Sequence, residues 1–153
     1  MHEPHPTASP NSCRAPELAV IVPTYNEVEN VPEIVRRVVL ALEGIDWELI
    51  FVDDDSPDAT WQQVRAIGRN DRRVRVLQRV GRRGLSSACI EGMLSTSAPY
   101  LAVIDGDLQH DETRLAMMLA TLKGGDLDIV VGSRYVDGGG VGDWDARRQT
   151  MSR

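Results

Sequence analysis

Carboxylates gather in three short polar stretches, and each stretch directly follows an apolar run. Pro23-Thr24-Tyr25-Asn26-Glu27 follows Leu18 to Val22. Asp53-Asp54-Asp55-Ser56-Pro57 follows Trp47 to Val52. Asp105-Gly106-Asp107-Leu108-Gln109-His110 follows Tyr100 to Ile104. Acids brought close together repel one another and resist ionisation, and a bound cation removes that cost. Asp105 and Asp107 straddle a glycine, which lets the backbone turn sharply or approach a ligand closely. Asp107 and Gln109 then offer oxygens that suit a hard cation such as Mg²⁺ or Mn²⁺, completed by phosphates and water. The competing reading is an acidic turn that caps the next helix, with Asp111 as the cap. His110 reads as a residue near the helix start with a polar contact, not as a base or a metal ligand. A Walker lysine motif is missing, and no Gly-x-Gly-x-x-Gly follows the first apolar run, which disfavours P-loop hydrolases and dinucleotide dehydrogenases.

The elements that must hold these stretches alternate. Leu18 to Val22 is a continuous apolar run, which predicts a strand buried on both faces and stopped by Pro23. Val28, Val31, Ile34, Val35, Val38, Val39 and Leu42 recur at helical spacing and predict an amphipathic helix ending near Gly44. Trp47 to Val52 predicts a second strand. Ser56-Pro57 suits an N-cap with proline at the first helical position, for a helix running to about Arg69. Val74 to Leu77 predicts a third strand. Gly84 opens a helix with Leu85, Ala88, Cys89, Gly92 and Met93 on one face. Tyr100 to Ile104 predicts a fourth strand, Leu115 to Leu122 a helix closed by Gly124-Gly125, and Leu127 to Val131 a fifth strand. The glycines at 138–140 and Gly142 predict a flexible loop.

This alternation predicts an α/β fold, a doubly wound, mostly parallel sheet with helices on both faces and right-handed crossovers. A strand order around 3-2-1-4 places the first and fourth strands side by side. Ligands bind outside the carboxyl ends of strands at such a switch point. The residues after Val22 and after Ile104 should therefore share one crevice, with those after Val52 nearby.

Composition sets the outer bounds. A chain of 153 residues predicts one ordered domain, here residues 17–153, after a Pro- and Ser-rich disordered tail at residues 1–16. A net charge of −6 argues against general nucleic-acid binding. Arg72, Arg73, Arg75, Arg79, Arg82 and Arg83 form a basic stretch, read as a solvated face or as a surface for phosphates or anionic lipid. Cys13 and Cys89 have no metal-site or disulfide spacing and read as free thiols. No apolar run is long enough to cross a bilayer and no signal peptide opens the chain, so the expected location is the cytoplasm.

Five stretches together carry a family resemblance: Val22 to Glu27, Val52 to Asp58, Gly84 to Ala88, Asp105 to His110, and Gly132-Ser133-Arg134-Tyr135. The chain resembles family-two glycosyltransferases with the Rossmann-like GT-A fold, and within them the polyprenol-phosphate (dolichol-phosphate) mannosyltransferase branch. The resemblance spans roughly residues 18–148. It implies an inverting, metal-dependent hexosyltransferase that moves mannose from GDP-mannose, or another sugar from a UDP-sugar, to a polyprenyl phosphate at the inner face of a membrane. Pro23, Tyr25, Glu27 and Asp54 would hold the donor nucleoside, and Asp53 would orient that loop. Asp105, Asp107 and Gln109 match the family's Asp-x-Asp-x-Gln signature, with Asp107 and Gln109 as the foremost metal ligands. Asp105 would also face the donor nucleotide. Arg134, and less directly Arg148, would bind the acceptor phosphate. Gly106 stands where many relatives have alanine, with little effect expected. The resemblance also implies a membrane-proximal segment after the Trp144 region, or a membrane-anchoring partner. Other readings are a transferase of the same fold using a different sugar or a sugar acceptor, and a nucleotide-sugar-binding chain without turnover.

A lipid monophosphate is already anionic near neutral pH, its second pKa being about 6, so it needs no strong protein base. Arginine suits it because the guanidinium fork matches phosphate oxygens. A sugar hydroxyl would require a positioned base.

Overall fold

The computed structural model describes residues 15–133, which fall into two units divided between Ala116 and Met117. The first unit contains a four-stranded parallel sheet ordered β3-β2-β1-β4, as the alternating pattern predicts. Its strands are β1 (Leu18–Thr24), β2 (Trp47–Asp53), β3 (Val74–Gln78) and β4 (Tyr100–Val103). The helices between them are α1 (Val31–Ala41), α2 (Thr60–Gly68) and α3 (Leu85–Leu94). A 3₁₀ turn at Glu112–Arg114 leads into α4 (Leu115–Lys123), which crosses into the second unit.

The core lies along the two central strands. Ala19, Val20, Ile21 and Val22 of β1, and Leu49, Ile50, Phe51 and Val52 of β2, are fully buried. That is the expected burial of parallel strands covered on both faces. Helix α1 contributes Val31, Ile34 and Val38. Helix α3 lies so close to the sheet that a β-carbon on Gly92 would stand 2.5 Å from Ile21 Cγ2 and 2.9 Å from Val52 Cγ2.

Several expectations need correction. β1 does not stop at Pro23 but continues to Thr24, pairing Pro23 with Val52. A proline fits because the missing N–H lies on the β4 side. On that side the ladder has already ended, with Ile104 N–H donating to the Ile21 carbonyl. Helix α1 begins at Val31, not Val28, because the N–H of Val28 donates to the Asp58 carboxylate instead. Ser56 does not cap α2, which begins at Thr60 after Ala59 in the left-handed region at φ 73°. Leu85 does not share the buried face of α3 but is exposed.

The predicted fifth strand, Leu127 to Val131, is not a strand. Among the described residues the sheet has four strands, and Leu127, Ile129 and Val131 are 52%, 76% and 78% exposed. An apolar run becomes a strand only where a neighbouring ladder takes up its backbone groups. Arg134, Arg148 and the glycines at 138–140 lie outside the described residues. No helix among the described residues is long and apolar enough to cross a membrane.

Candidate functional site

The loops after β1, β2 and β4 interlock at the carboxyl ends of the strands. Asp53 closes β2 and is fully buried. It accepts hydrogen bonds from the Thr24 hydroxyl at 3.1 Å, the Ser56 hydroxyl at 2.6 Å and the Ser56 N–H at 2.9 Å. The same Ser56 hydroxyl accepts the N–H of Asn26 at 3.0 Å. Thr60 Oγ1 accepts the N–H of Glu27 at 2.9 Å, and Asp58 accepts that of Val28 at 3.1 Å. The side chains around Asp53 thus shape the turn that carries Tyr25 and Glu27. Hydrogen bonds from Thr60 and from the Val28 and Thr60 N–H groups outweigh the burial of Asp58 and hold its carboxyl below the usual range.

The Asp105–His110 loop packs on that turn. A β-carbon on Gly106 would stand 3.2 Å from Thr24 Cγ2, 3.3 Å from Glu27 Cγ and 3.5 Å from the Pro23 carbonyl oxygen. The absence of a side chain at 106 allows this approach. Asn30 Nδ2 donates to Glu27 Oε2 at 2.6 Å and to the Gly106 carbonyl at 3.1 Å, joining residues 76 apart in sequence. Burial raises the Glu27 carboxyl above its ordinary value, the Asn30 hydrogen bond opposes this, and the negative charges of Asp107 and Asp58 raise it further. The charge of Asp107 thus acts on Glu27, and the seat of Gly106 places its turn beside that carboxylate.

Asp105 and Asp107 are exposed to solvent. Asp107 Oδ1 accepts the Gln109 N–H at 3.1 Å. His110 Nδ1 accepts the Asp105 N–H at 3.2 Å, with Nε2 at 3.5 Å from Asp105 Oδ2. This is the polar contact expected for His110. Asp111 caps the 3₁₀ turn by accepting the Thr113 N–H.

No group of three or more His, Cys, Asp or Glu among the described residues could hold a metal by itself. The donor set nonetheless fits Mg²⁺ or Mn²⁺. Such ions commonly take one or two protein carboxylates and complete their shell with water and substrate phosphates. Two exposed carboxylates on one turn, Asp105 and Asp107, suit such a partial shell, and the Asp107 charge acts on the nearby Glu27.

Asp54 is placed differently. It is buried and faces the loop after β3, where Arg79 Nη1 meets its Oδ1 at 2.8 Å and the Gly84 N–H meets its Oδ2 at 2.8 Å. Arg79 is not part of a solvated basic face. It is 2% exposed, and its guanidinium also donates to Ser87 Oγ at 2.6 Å and the Gly84 carbonyl at 3.1 Å. Its Nε has no hydrogen-bond partner, although Glu91 Oε1 lies 3.3 Å away. Arg83 does stay at the surface, with its guanidinium 4.3 Å above the centre of the Tyr25 ring. Tyr25 is 41% exposed, so a flat aromatic surface stands open at the end of β1.

Asn30, Arg79 and Arg83 are the residues that motif reading passes over. Asn30 falls inside the span read as a helix from Val28, and Arg79 reads as one of six arginines in the basic stretch. Only the pairing of the strands brings them to the site.

The chain matches the model of glycosyl transferase family 2 over residues 19–153. It is 41% identical over 137 residues to a dolichol-phosphate mannosyltransferase of Pyrococcus furiosus, covering 90% of this chain and 38% of that protein. It is 34% identical over 140 residues to a dolichol-phosphate mannosyltransferase of Saccharomyces cerevisiae, covering 89% of this chain and 52% of that one. The chain thus spans about half or less of the length of these relatives. Among solved structures it is similar to a mannosyltransferase of Pyrobaculum calidifontis in complex with GDP-Man and Mn²⁺. That likeness has a TM-score of 0.57 and 24% identity, over 72% of this chain and 33% of the other. It is also similar to glucosyl-3-phosphoglycerate synthase of Mycobacterium tuberculosis in complex with Mn²⁺, UDP-glucose and phosphoglyceric acid. Here the TM-score is 0.59 and the identity 22%, over 72% and 41% of the two chains. The likeness to the two solved structures is one of fold.

Proposed function

We propose a reaction from one premise: the chain belongs to glycosyl transferase family 2. The reaction is transfer of a sugar, with inversion, from a nucleotide-diphosphate sugar to a polyprenyl phosphate at a membrane surface. Mannose from GDP-mannose is the favoured donor pair. The names of the two curated relatives and the GDP-Man held by the Pyrobaculum structure support that choice.

The observation that carries the reading is the seat of Gly106 against Thr24 and Glu27. It brings the two-aspartate turn and the Tyr25–Glu27 turn together at adjacent strand ends, where the fold binds ligands. In this reading residues 17–153 form the donor-binding domain. Tyr25 stacks on the base, with Pro23 and Glu27 lining the nucleoside. Asp53 holds that turn in shape and Asp54 holds the loop after β3 beside it. Asp105, Asp107 and Gln109 would hold Mg²⁺ or Mn²⁺, which supplies a Lewis acid for the departing diphosphate. Arg134 and Arg148 would take the acceptor phosphate. That phosphate arrives ionised, so the chain needs to orient it and exclude water and has no proton to remove.

Thermal stability with GDP- and UDP-sugars, each with and without Mn²⁺, tests the donor site, because a ligand specific to the folded state raises the melting temperature. GDP-mannose with Mn²⁺ should give the largest rise. If no nucleotide stabilises the chain in the presence of metal, the reading fails. Transfer of radiolabel to a polyprenyl phosphate then separates a transferase from a chain that only binds the donor.

A further inference from the structure

We infer that Asn30 and Arg37 of α1 are positioning residues for Asp107, gripping the backbone on either side of it so that its carboxylate meets a divalent cation. The inference rests on the metal role proposed above for Asp107.

The loop that carries Asp107 needs holding. It lies beyond the end of β4 and has no ladder to fix it. Leu108 sits in the left-handed region at φ 61°, which costs a side-chain-bearing residue roughly 1–2 kcal/mol. Such a conformation persists only where the surroundings over-determine it. Two ties lie inside the loop, from Gln109 N–H to Asp107 and from Asp105 N–H to His110. They shape a turn but do not say where it sits.

Beside the packing of Gly106 on the turn after β1, two hydrogen bonds reach the loop from α1 and its cap. Asn30 donates to the carbonyl of Gly106 at 3.1 Å, the residue before Asp107. Arg37 Nη1 donates to the carbonyl of Leu108, the residue after it, at a longer 3.5 Å. The two gripped carbonyls therefore bracket Asp107. Asn30 and Arg37 are seven positions apart, two helical turns, and so lie on one face. Each is itself aimed. Asn30 uses its amide on Glu27 Oε2 at 2.6 Å as well as on Gly106, one acceptor for each of its two hydrogens. Arg37 is steered by Glu33 Oε1 at 2.8 Å and reaches the buried Glu112, just past the loop, at 3.5 Å. A rigid helix thus sets the distance between Glu27 and Asp107 and the direction of the latter's side chain. Residues that orient metal ligands in this way typically change metal affinity by roughly 10–100-fold when removed.

The test is Mn²⁺ affinity of the whole chain with saturating GDP, measured from the paramagnetic resonance signal of the free ion. Asn30→Ala should weaken Mn²⁺ about 10–100-fold, a larger factor than any change in GDP affinity measured without metal. Arg37→Ala should weaken it less. Hydrogen exchange of the amides at 106–110 in metal-free protein should quicken in Asn30→Ala while those of β1 and β2 stay protected. If Asn30→Ala does not fold, Asn30→Ser is expected to give the same signs at smaller size. Mn²⁺ affinity unchanged in both alanine variants, with the parent binding normally, overturns the inference and leaves the proposed function standing. A parent that binds no Mn²⁺ with GDP or with UDP overturns both.

Discussion

Arg79 and Asp54 form an ion pair at 2.8 Å in which Arg79 is almost fully buried and Asp54 nearly so. The pair joins the end of β2 to the loop after β3, and through the Gly84 N–H it also fixes the start of α3. Removing one partner leaves a buried charge without its counterion. Arg79→Ala is therefore expected to destabilise the fold by about 3 kcal/mol, the low end for such a break because Asp54 keeps the Gly84 hydrogen bond. Urea unfolding would measure this. A loss below about 1 kcal/mol would show that water already reaches the pair.

Tyr25 offers one ring face to Arg83. Stacking of a base on an aromatic ring is worth about 1–3 kcal/mol. Tyr25→Ala is expected to weaken nucleotide binding roughly tenfold or more, with Tyr25→Phe close to the parent. Titration calorimetry with GDP and Mn²⁺ decides this. Equal affinity in the alanine variant would move the base away from the end of β1.

Gly92 sits mid-helix, where alanine would ordinarily stabilise by about 1 kcal/mol. Here a β-carbon would press on Ile21 and Val52 at 2.5 and 2.9 Å. Overpacking of that kind costs typically 1–3 kcal/mol, so it should outweigh the helical gain. Gly92→Ala is expected to lower the melting temperature. Gly106→Ala meets neighbours at 3.2 Å and beyond and should cost under about 1 kcal/mol, in keeping with the small effect expected from sequence. A more stable Gly92→Ala would mean that α3 can retreat from the sheet.

Acid should destabilise the fold in a defined window. Arg36 and Arg37 bring Glu33 down to about 2 from 4.5. Asp71 is lowered by Arg73, and Asp111 by Thr113 and then Arg114. A carboxyl lowered in the folded state adds stability above its unfolded pKa, and that stability is lost as pH falls through the folded value. Glu27, raised by burial, acts with the opposite sign. The lowered groups outnumber it. The melting temperature should hold from neutral pH to about 4.5 and fall from there toward 2. Glu33 is only partly buried, so its share should shrink in high salt. A flat profile down to pH 2 would contradict the ion-pair account.

The elements and the acidic turns were legible because their signals are local. A run such as Leu18 to Val22 or the valine spacing of α1 states its own burial, and the Asp105-Gly106-Asp107 turn shows its chemistry in three letters. What was not legible depends on partners far along the chain. Arg79 looks like its basic neighbours until Asp54, 25 positions earlier, is brought beside it. Ser56 looks like a helix cap until Asp53 and Asn26 claim its hydroxyl. Leu127 to Val131 looks like a strand, yet it joins no ladder among the described residues.

The sequence by itself determined the order of strands and helices, the acidic character of their carboxyl ends and the family resemblance, because periodicity and short motifs are properties of neighbouring residues. The tertiary structure alone decided which acids face one another. The turns that carry Glu27 and Asp107 come together because β1 pairs directly with β4, and Asp54 is tied to a buried arginine from the loop after β3. Long-range pairing and the burial of charge settle those contacts, and neither is written in the spacing of residues along the chain.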